Sequence, residues 1–169
     1  MKSVFVISGP ESTGKSTLAQ SIAEDLNATL VEEYARDYLE EFGLDYEEND
    51  LLAIAYGQHK AIEEAQGDLI ICDTDVLTVI IWMATKFGKT DDQLMKLWAE
   101  FKPVKYLVCK PDVPWVYDPL RECEHLREEL FDLQIKLLES SDKAFEVIEG
   151  DYPNRYEMAR KIINASIKA

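Results

Sequence analysis

The sequence predicts an α/β fold: a five-stranded parallel sheet with helices on both faces, entered through a phosphate-binding loop. Three observations carry this. Short apolar runs alternate along the chain with segments of helical periodicity, the pattern of parallel strands joined by crossover helices. The stretch "GPESTGKST", Gly9 to Thr17, has the spacing Gly9-x-x-x-x-Gly14-Lys15-Ser16 of a loop whose backbone N–H groups curl around phosphates. The loop also stands between a strand-like run and a helical face, where a helix N-terminus aims partial positive charge at an anion.

Taken in order, Ser3 to Ser8 is apolar between its two serines, as a strand buried on both faces requires. In the loop, Gly9 and Gly14 permit positive φ and close backbone approach. Lys15 brings a point charge to the β and γ phosphates of a nucleotide, and the Ser16 hydroxyl can ligate Mg²⁺. Leu18, Ile22 and Leu26 then form one helical face. Ala28 to Val31 reads as a second strand, ending at Glu32 and Glu33. Tyr34 to Phe42 reads as a helix stopped at Gly43, and residues from about Glu47 to Ala65 as a longer one. Leu69 to Cys72 is a third strand, closing on Asp73-Thr74-Asp75. Two helices, Val76 to Phe87 and Asp92 to Phe101, precede a fourth strand, Val104 to Cys109. The Pro-bearing segment from Lys110 to Leu120 leads into a helix around Glu122 to Leu138. Phe145 to Ile148 is the last strand, Gly150 its exit, and Asn154 to Ile167 the closing helix. No linker, repeat or low-complexity segment divides the chain, so residues 1–169 are expected to form one domain, with residues 110–127 as a lid.

Composition narrows the function. A formal net charge of −15 argues against a nucleic-acid partner, whose phosphates it would repel. A phosphate donor must then be held by a local basic site, as a Mg²⁺ complex. No apolar run approaches the ~20 residues of a membrane span, so no membrane partner is expected. Met1-Lys2-Ser3 leads straight into the first strand, leaving no room for a cleaved signal. Cys72, Cys109 and Cys123 lack C-x-x-C spacing, and two lie in strand-like runs. Free buried thiols and a cytoplasmic home are expected, which deprives the sequons at Asn27 and Asn164 of meaning.

In parallel sheets ligands bind beyond the carboxyl ends of the strands, which singles out four places. Asp73 follows an apolar strand directly, where a second carboxylate supports Mg²⁺ beside Ser16. Asp75 either shares that edge or caps the next helix; the residues do not decide between the two. Glu33, or Glu32 beside it, ends the second strand, where a carboxylate orients an acceptor hydroxyl and takes its proton. Arg36, one turn on, fits an acceptor phosphate or the transferring group, or else pairs with Glu33 on the surface. In "DVPWVYDPLRECEHLRE", Arg121 and Arg127 suit a lid that swings onto phosphate, or a salt-bridged helix surface. Trp115 and Trp82 fit core positions as well as a ligand face, and His59 and His125 have no partners at metal spacing. Glu11 has no role toward phosphate. From the loop's rim it can instead face an acceptor, or brace the loop by pairing with a basic side chain.

"GPESTGKSTLA", "EEYARDYL", "DTDVLTVIIW", "DVPWVYDPLRE" and "GDYPNRYEMA" occur in order and span nearly the whole chain. Together they resemble the nicotinamide riboside kinase domain of the NadR family. The resemblance implies a phosphate-loop NTPase fold of the nucleoside/nucleotide-kinase-like type. It also implies ATP-dependent phosphorylation of a ribose 5′-hydroxyl, with ATP and Mg²⁺ as cofactors and nicotinamide riboside or a similar nucleoside as substrate. Gly9, Ser12, Thr13, Gly14, Lys15, Ser16, Thr17 and Arg155 are then expected to hold the nucleotide, with Glu11 at the same loop. Glu11, Glu33, Tyr34, Arg36, Asp75 and Trp82 are expected on the acceptor side. Lys15, Glu33, Asp73, Arg121 and Arg127 are the expected catalytic set. Two departures stand out. The H-x-G-H signature and an upstream DNA-binding segment are missing, so adenylyl transfer and repression are not expected. Pro119 stands where the family usually has Gly, which predicts a stiffer lid turn. The rivals are a nucleoside monophosphate kinase or other nucleoside kinase, and a regulatory phosphate-loop ATPase. A GTPase is disfavoured because N-K-x-D is absent.

Overall fold

A computed structural model describes residues 2–168, so the two ends of the expected unit, Met1 and Ala169, lie outside it. Five strands form one parallel sheet: β1 (Ser3–Ser8), β2 (Thr29–Val31), β3 (Leu69–Asp73), β4 (Lys105–Cys109) and β5 (Phe145–Ile148), in the spatial order β2-β3-β1-β4-β5. The helices between them are α1 (Lys15–Asp25), α2 (Tyr34–Phe42), α3 (Glu48–Glu64), α4 (Val76–Phe87), α5 (Asp92–Glu100), α6 (Arg127–Glu139) and α7 (Tyr152–Lys168). The expected α/β sheet is therefore found.

Strand alternation divides the core into two layers. Phe5, Ile7, Ile71, Leu107, Cys109 and Ile148 pack with Leu18, Ala19 and Ile22 of α1 and Ala159 and Ile163 of α7. From the opposite face, Val6, Ile70, Cys72, Tyr106 and Val108 meet Leu51 and Ile54 of α3, Ile80 of α4, Leu94 of α5 and Leu138 of α6. A sheet buried on both sides needs continuous apolar strands, which is why these runs were readable. Order reverses around β1, with β3 on one side and β4 on the other, so the loop after β1 opens at the sheet's switch point.

The helix ends follow local chemistry. Asp91 caps α5 by accepting from the N–H groups of Gln93 and Leu94 at 2.9 and 3.0 Å, and a reciprocal Glu47/Asp50 capping box starts α3. Several boundaries shift from expectation by one or two residues, and the start of α6 shifts furthest. Glu122 does not begin α6; residues Glu124–Leu126 form a single 3₁₀ turn, and the α-helix starts at Arg127. The acidic, aromatic stretch before it is held by side chains of the phosphate loop rather than by helical hydrogen bonds. Helical periodicity in the sequence cannot report such partners.

Candidate active site

The phosphate loop joins β1 to α1. Gly9 has φ +136°, and a Cβ there would stand 2.5 Å from the Cys109 carbonyl oxygen on β4, so only glycine fits. Gly14, at φ +80°, caps α1 without any side-chain partner, and α1 has no acidic residue in its first turn. The first N–H groups of the helix are thus left for an anion. Within the loop Thr13 Oγ1 donates to the Pro10 carbonyl at 2.8 Å, and Lys15 Nζ donates to the same oxygen at 3.2 Å.

Around the loop opens a solvent-open cleft with about 610 Å³ of empty space. Residues 11–17 of the loop line it with Glu33, Arg36, Trp82 and Arg121. Glu33 sits at the N-terminal end of α2, and the buried Gln58 of α3 fixes that corner by accepting from Tyr34 N at 2.8 Å and donating to the Glu32 carbonyl at 3.4 Å. Burial raises the pKa of the Glu33 carboxyl, Lys15 opposes this, and Asp73 adds to it. Asp73 is almost wholly buried, and its Oδ1 is a buried oxygen without a hydrogen-bond partner. It lines a side lobe of the cleft with Ser16, Glu32 and Glu33. Among the described residues no group of three His, Cys, Asp or Glu stands together as a metal cage.

Asp75 lies elsewhere. Thr74 takes φ +68°, unusual for a β-branched residue, which separates the two neighbouring aspartates. Asp75 is 1% exposed and caps α4, accepting from Leu77 N at 3.2 Å and from the Tyr106 hydroxyl, which in turn accepts from Trp98 Nε1 at 3.0 Å. Burial pushes its carboxyl up to about 6, against the pull of those hydrogen bonds. Its expected acceptor-side place is corrected to a structural cap.

Two further expectations change. Arg155 is 2% exposed, and its guanidinium donates to the carbonyls of Gly150 at 2.6 Å, Thr13 at 3.0 Å and Lys110 at 2.8 Å, and to Asp112. With four of its five N–H donors taken up by the protein, it braces the loop from behind. The Tyr34 ring packs where a side chain on Gly57 would be, so it lies against α3 and outside the cleft.

The segment between β4 and α6 closes over the loop. Glu11 Oε2 accepts from the N–H groups of Glu122 at 3.1 Å and Cys123 at 2.9 Å. Ser12 Oγ accepts from Val116 N at 2.8 Å. Arg121 donates to the Val116 carbonyl at 2.5 Å and to Ser12 Oγ at 3.4 Å, while Arg127 donates to the carbonyls of Ser12 and Val113, both at 3.0 Å. Both guanidiniums also stand over Trp115, at 6.0 and 5.7 Å from the ring centre. Arg36 pairs not with Glu33 but with Asp118 of this segment, at 3.3 Å. Glu11 therefore tethers the crossing segment through backbone N–H groups, and among the described residues no basic side chain pairs with it.

A second, mostly apolar cavity, open to solvent, adjoins the cleft, sharing Glu11, Leu39, Trp82 and Leu120 with it. Tyr46 and Trp82 both line it as a stacked pair, ring centres 6.2 Å apart and 25° from parallel. Lys86 Nζ lies 3.5 Å from the Tyr46 ring centre and 3.8 Å from Glu122, and the Tyr46 hydroxyl donates to Glu122 at 3.0 Å. Tyr46, Lys86, Leu120 and Asp118 escaped the sequence reading. Lys86 stands one turn after Trp82 on α4, so that spacing was a usable signal; Tyr46 sits in a loop and offered none.

The chain is 31% identical over 161 residues to the trifunctional NAD biosynthesis/regulator protein NadR of Escherichia coli (strain K12), and 30% identical to that of Salmonella typhimurium. Each alignment covers 89% of this chain and 39% of the relative, so the chain spans about two fifths of their length. Crystal structures of NadR superpose with TM-scores of 0.82, in complex with NR, and 0.84, in complex with NAD and AMP-PNP. They are 23% and 24% identical and cover 99% of this chain and 52% and 50% of theirs. Thymidylate kinase from Ehrlichia chaffeensis has the same fold, with a TM-score of 0.69 at 16% identity over 96% of this chain and 98% of its own. No helix among the described residues is long and apolar enough to cross a membrane. The family model described as the AAA domain matches residues 4–155, and the chain belongs to that family.

Proposed function

We propose that this protein is a kinase that uses ATP and Mg²⁺ to phosphorylate the 5′-hydroxyl of nicotinamide riboside, giving nicotinamide mononucleotide in NAD salvage. The observation that carries the reading is the junction of two spaces. An anion-binding loop opens directly onto an apolar cavity lined by a stacked pair of aromatic rings, and carboxylates stand at the boundary. The NadR structures solved with NR and with AMP-PNP support it.

In this reading the loop N–H groups, Lys15 and Thr17 hold the donor's phosphates. The buried, unpartnered Asp73 Oδ1 beside Ser16 fits a hydrated Mg²⁺ that is otherwise held by phosphate oxygens. When bound, that ion neutralises charge developing on the transferring group. Glu33 orients the acceptor hydroxyl and takes its proton as the hydroxyl oxygen bonds to the terminal phosphorus and ADP leaves with the electrons of the broken bond. Arg121 and Arg127 exclude water by holding the crossing segment over the loop, and exchange carbonyl partners for phosphate when the donor enters.

The nicotinamide ring of the riboside is a cation. Tyr46 already holds the Lys86 ammonium over its face, and Trp82 supplies a second ring, so an aromatic contact of roughly 0.5–2 kcal/mol is available to the pyridinium. Glu11 adds charge of the matching sign at the cavity's edge. The free buried thiols of Cys72 and Cys109 suit a cytoplasmic setting.

Two outcomes test the roles. Glu33→Gln is expected to lower kcat by about 10²–10⁴-fold with little change in the KM for ATP. Glu33 works in its ionised form and its pKa is raised, so parent activity should climb with pH along an acid limb lying above the usual carboxylate range, and this limb should vanish in the variant. Glu11→Ala is expected to raise the KM for the riboside several-fold, leave that for ATP nearly unchanged, and speed amide exchange at Glu122 and Cys123. Slow exchange there, with an unchanged riboside KM, would leave Glu11 without either role. An acceptor panel tests the function itself: purified protein with Mg-ATP against nicotinamide riboside, other nucleosides, nucleoside monophosphates and no acceptor. ADP release that depends on the riboside is expected; acceptor-independent release would favour a regulatory ATPase.

A further inference from the structure

The functional reading, on which this inference rests, assigns no role to the ion pair between Arg36 and Asp118. Arg36 lines the cleft beside Glu33 and within the same space as Lys15, next to the point where a phosphoryl group changes hands. Both its NH1 and NH2 groups donate to a single oxygen, Asp118 Oδ2, at 3.3 Å. The other oxygen, Oδ1, accepts from Leu120 N at 2.9 Å. That backbone bond, ahead of the Arg36 charge, holds the Asp118 carboxyl below the usual range, so it is ionised. The carboxylate is thus fixed by its own turn while its contact to Arg36 is long and not of the two-oxygen fork type. Such a contact can be exchanged.

We propose that Asp118 is a specificity-determining residue that occupies Arg36 in place of a phosphate, so that the site takes an unphosphorylated nucleoside and releases the nucleoside monophosphate it makes. The surrounding charges act in the same direction. Of the cations that line the cleft, Lys15 belongs to the donor's phosphates, and Arg121 holds the Val116 carbonyl and Ser12 until the donor's phosphates replace them. Arg36 is the remaining cation there, and Asp118 neutralises it. The acceptor side is also rimmed by Glu11 and Glu33. An incoming monophosphate must displace one carboxylate and approach two more, which a neutral or cationic nucleoside avoids. The newly made phosphate meets the same competition, so Asp118 favours product departure.

Isothermal titration of the full chain with nicotinamide riboside and with nicotinamide mononucleotide tests this through the ratio of the two affinities. In Asp118→Asn, which preserves shape and the acceptor for Leu120 N, the mononucleotide-to-riboside affinity ratio is expected to rise at least tenfold. Asp118→Ala should do the same, and adding Arg36→Gln to either should return the ratio to near the parent value. A ratio unchanged in both single variants, or one that stays high without Arg36, overturns the proposal. If the parent binds neither nicotinamide ligand, the riboside reading falls instead. The same ratio, measured on the nucleoside and monophosphate pair that the acceptor panel selects, then decides the role of Asp118 by itself.

Discussion

Lys15→Ala is expected to lower turnover by about 10²–10³-fold or more, the scale seen when one preorganised charge is removed from a transition state. Lys15 begins α1 at the mouth of the cleft, and among the described residues its side chain hydrogen-bonds only to the Pro10 carbonyl, at 3.2 Å. That partner keeps a second donor, Thr13 Oγ1 at 2.8 Å, so the loop loses little when the ammonium goes. The melting temperature should accordingly stay close to that of the parent, while phosphoryl transfer collapses. Calorimetry alongside a coupled ADP assay separates the two. Near-parent turnover in a folded Lys15→Ala protein would remove the loop from the chemistry.

Arg155→Ala is expected to do the opposite: large damage to stability, with loss of activity following from it. Arg155 is 2% exposed, and its guanidinium donates to three carbonyls and the Asp112 carboxylate at once, joining the exits of β4 and β5 to the phosphate loop. Removing one partner of such a buried pair leaves an uncompensated charge and orphaned carbonyls, at a cost of about 3–5 kcal/mol. For a chain of this size that is a fall in melting temperature of roughly 10 °C or more. Arg155→Lys should not rescue it, because one ammonium cannot span acceptors arranged around a planar fork. A scanning-calorimetry shift of only a degree or two, with a raised KM for ATP, would instead make Arg155 a nucleotide ligand.

The contrast between these two residues marks what was legible in the sequence. Lys15 belongs to a motif whose spacing is dictated by backbone geometry around phosphate, so its place could be read directly. Apolar strands buried on both faces were readable for a similar reason, and β1, β3 and β4 fell where the runs stood. Arg155 was misread because sequence position near a strand exit cannot say which way a side chain points; its partners lie 43 and 142 residues away. Asp73 and Asp75 were separable only through the positive φ of Thr74, which no residue pattern announces. Asp75 then turned inward to Tyr106, a partner 31 residues distant. The crossing segment was the hardest to read. Its contacts are backbone N–H and C=O groups meeting Glu11, Ser12, Arg121 and Arg127, and such partners leave no periodicity behind. The apolar cavity beside the cleft was half legible. Trp82 lines it, and the ring stacked with Trp82 is Tyr46 from an irregular loop, while Tyr34 packs against α3.

The claim at the centre of this account is that the cleft joins a phosphoryl donor to the 5′-hydroxyl of a cationic nucleoside. The most direct measurement is proton-coupled phosphorus NMR of the product formed from nicotinamide riboside and Mg-ATP by the parent protein. The account predicts a new monophosphate signal split into a triplet by the two protons of the 5′-carbon, absent when Lys15→Ala replaces the parent. A doublet, which reports phosphate on a ring hydroxyl, would contradict the geometry proposed for Glu33. No new signal from the riboside, with efficient conversion of a nucleoside monophosphate to the diphosphate under the same conditions, would contradict the account as a whole.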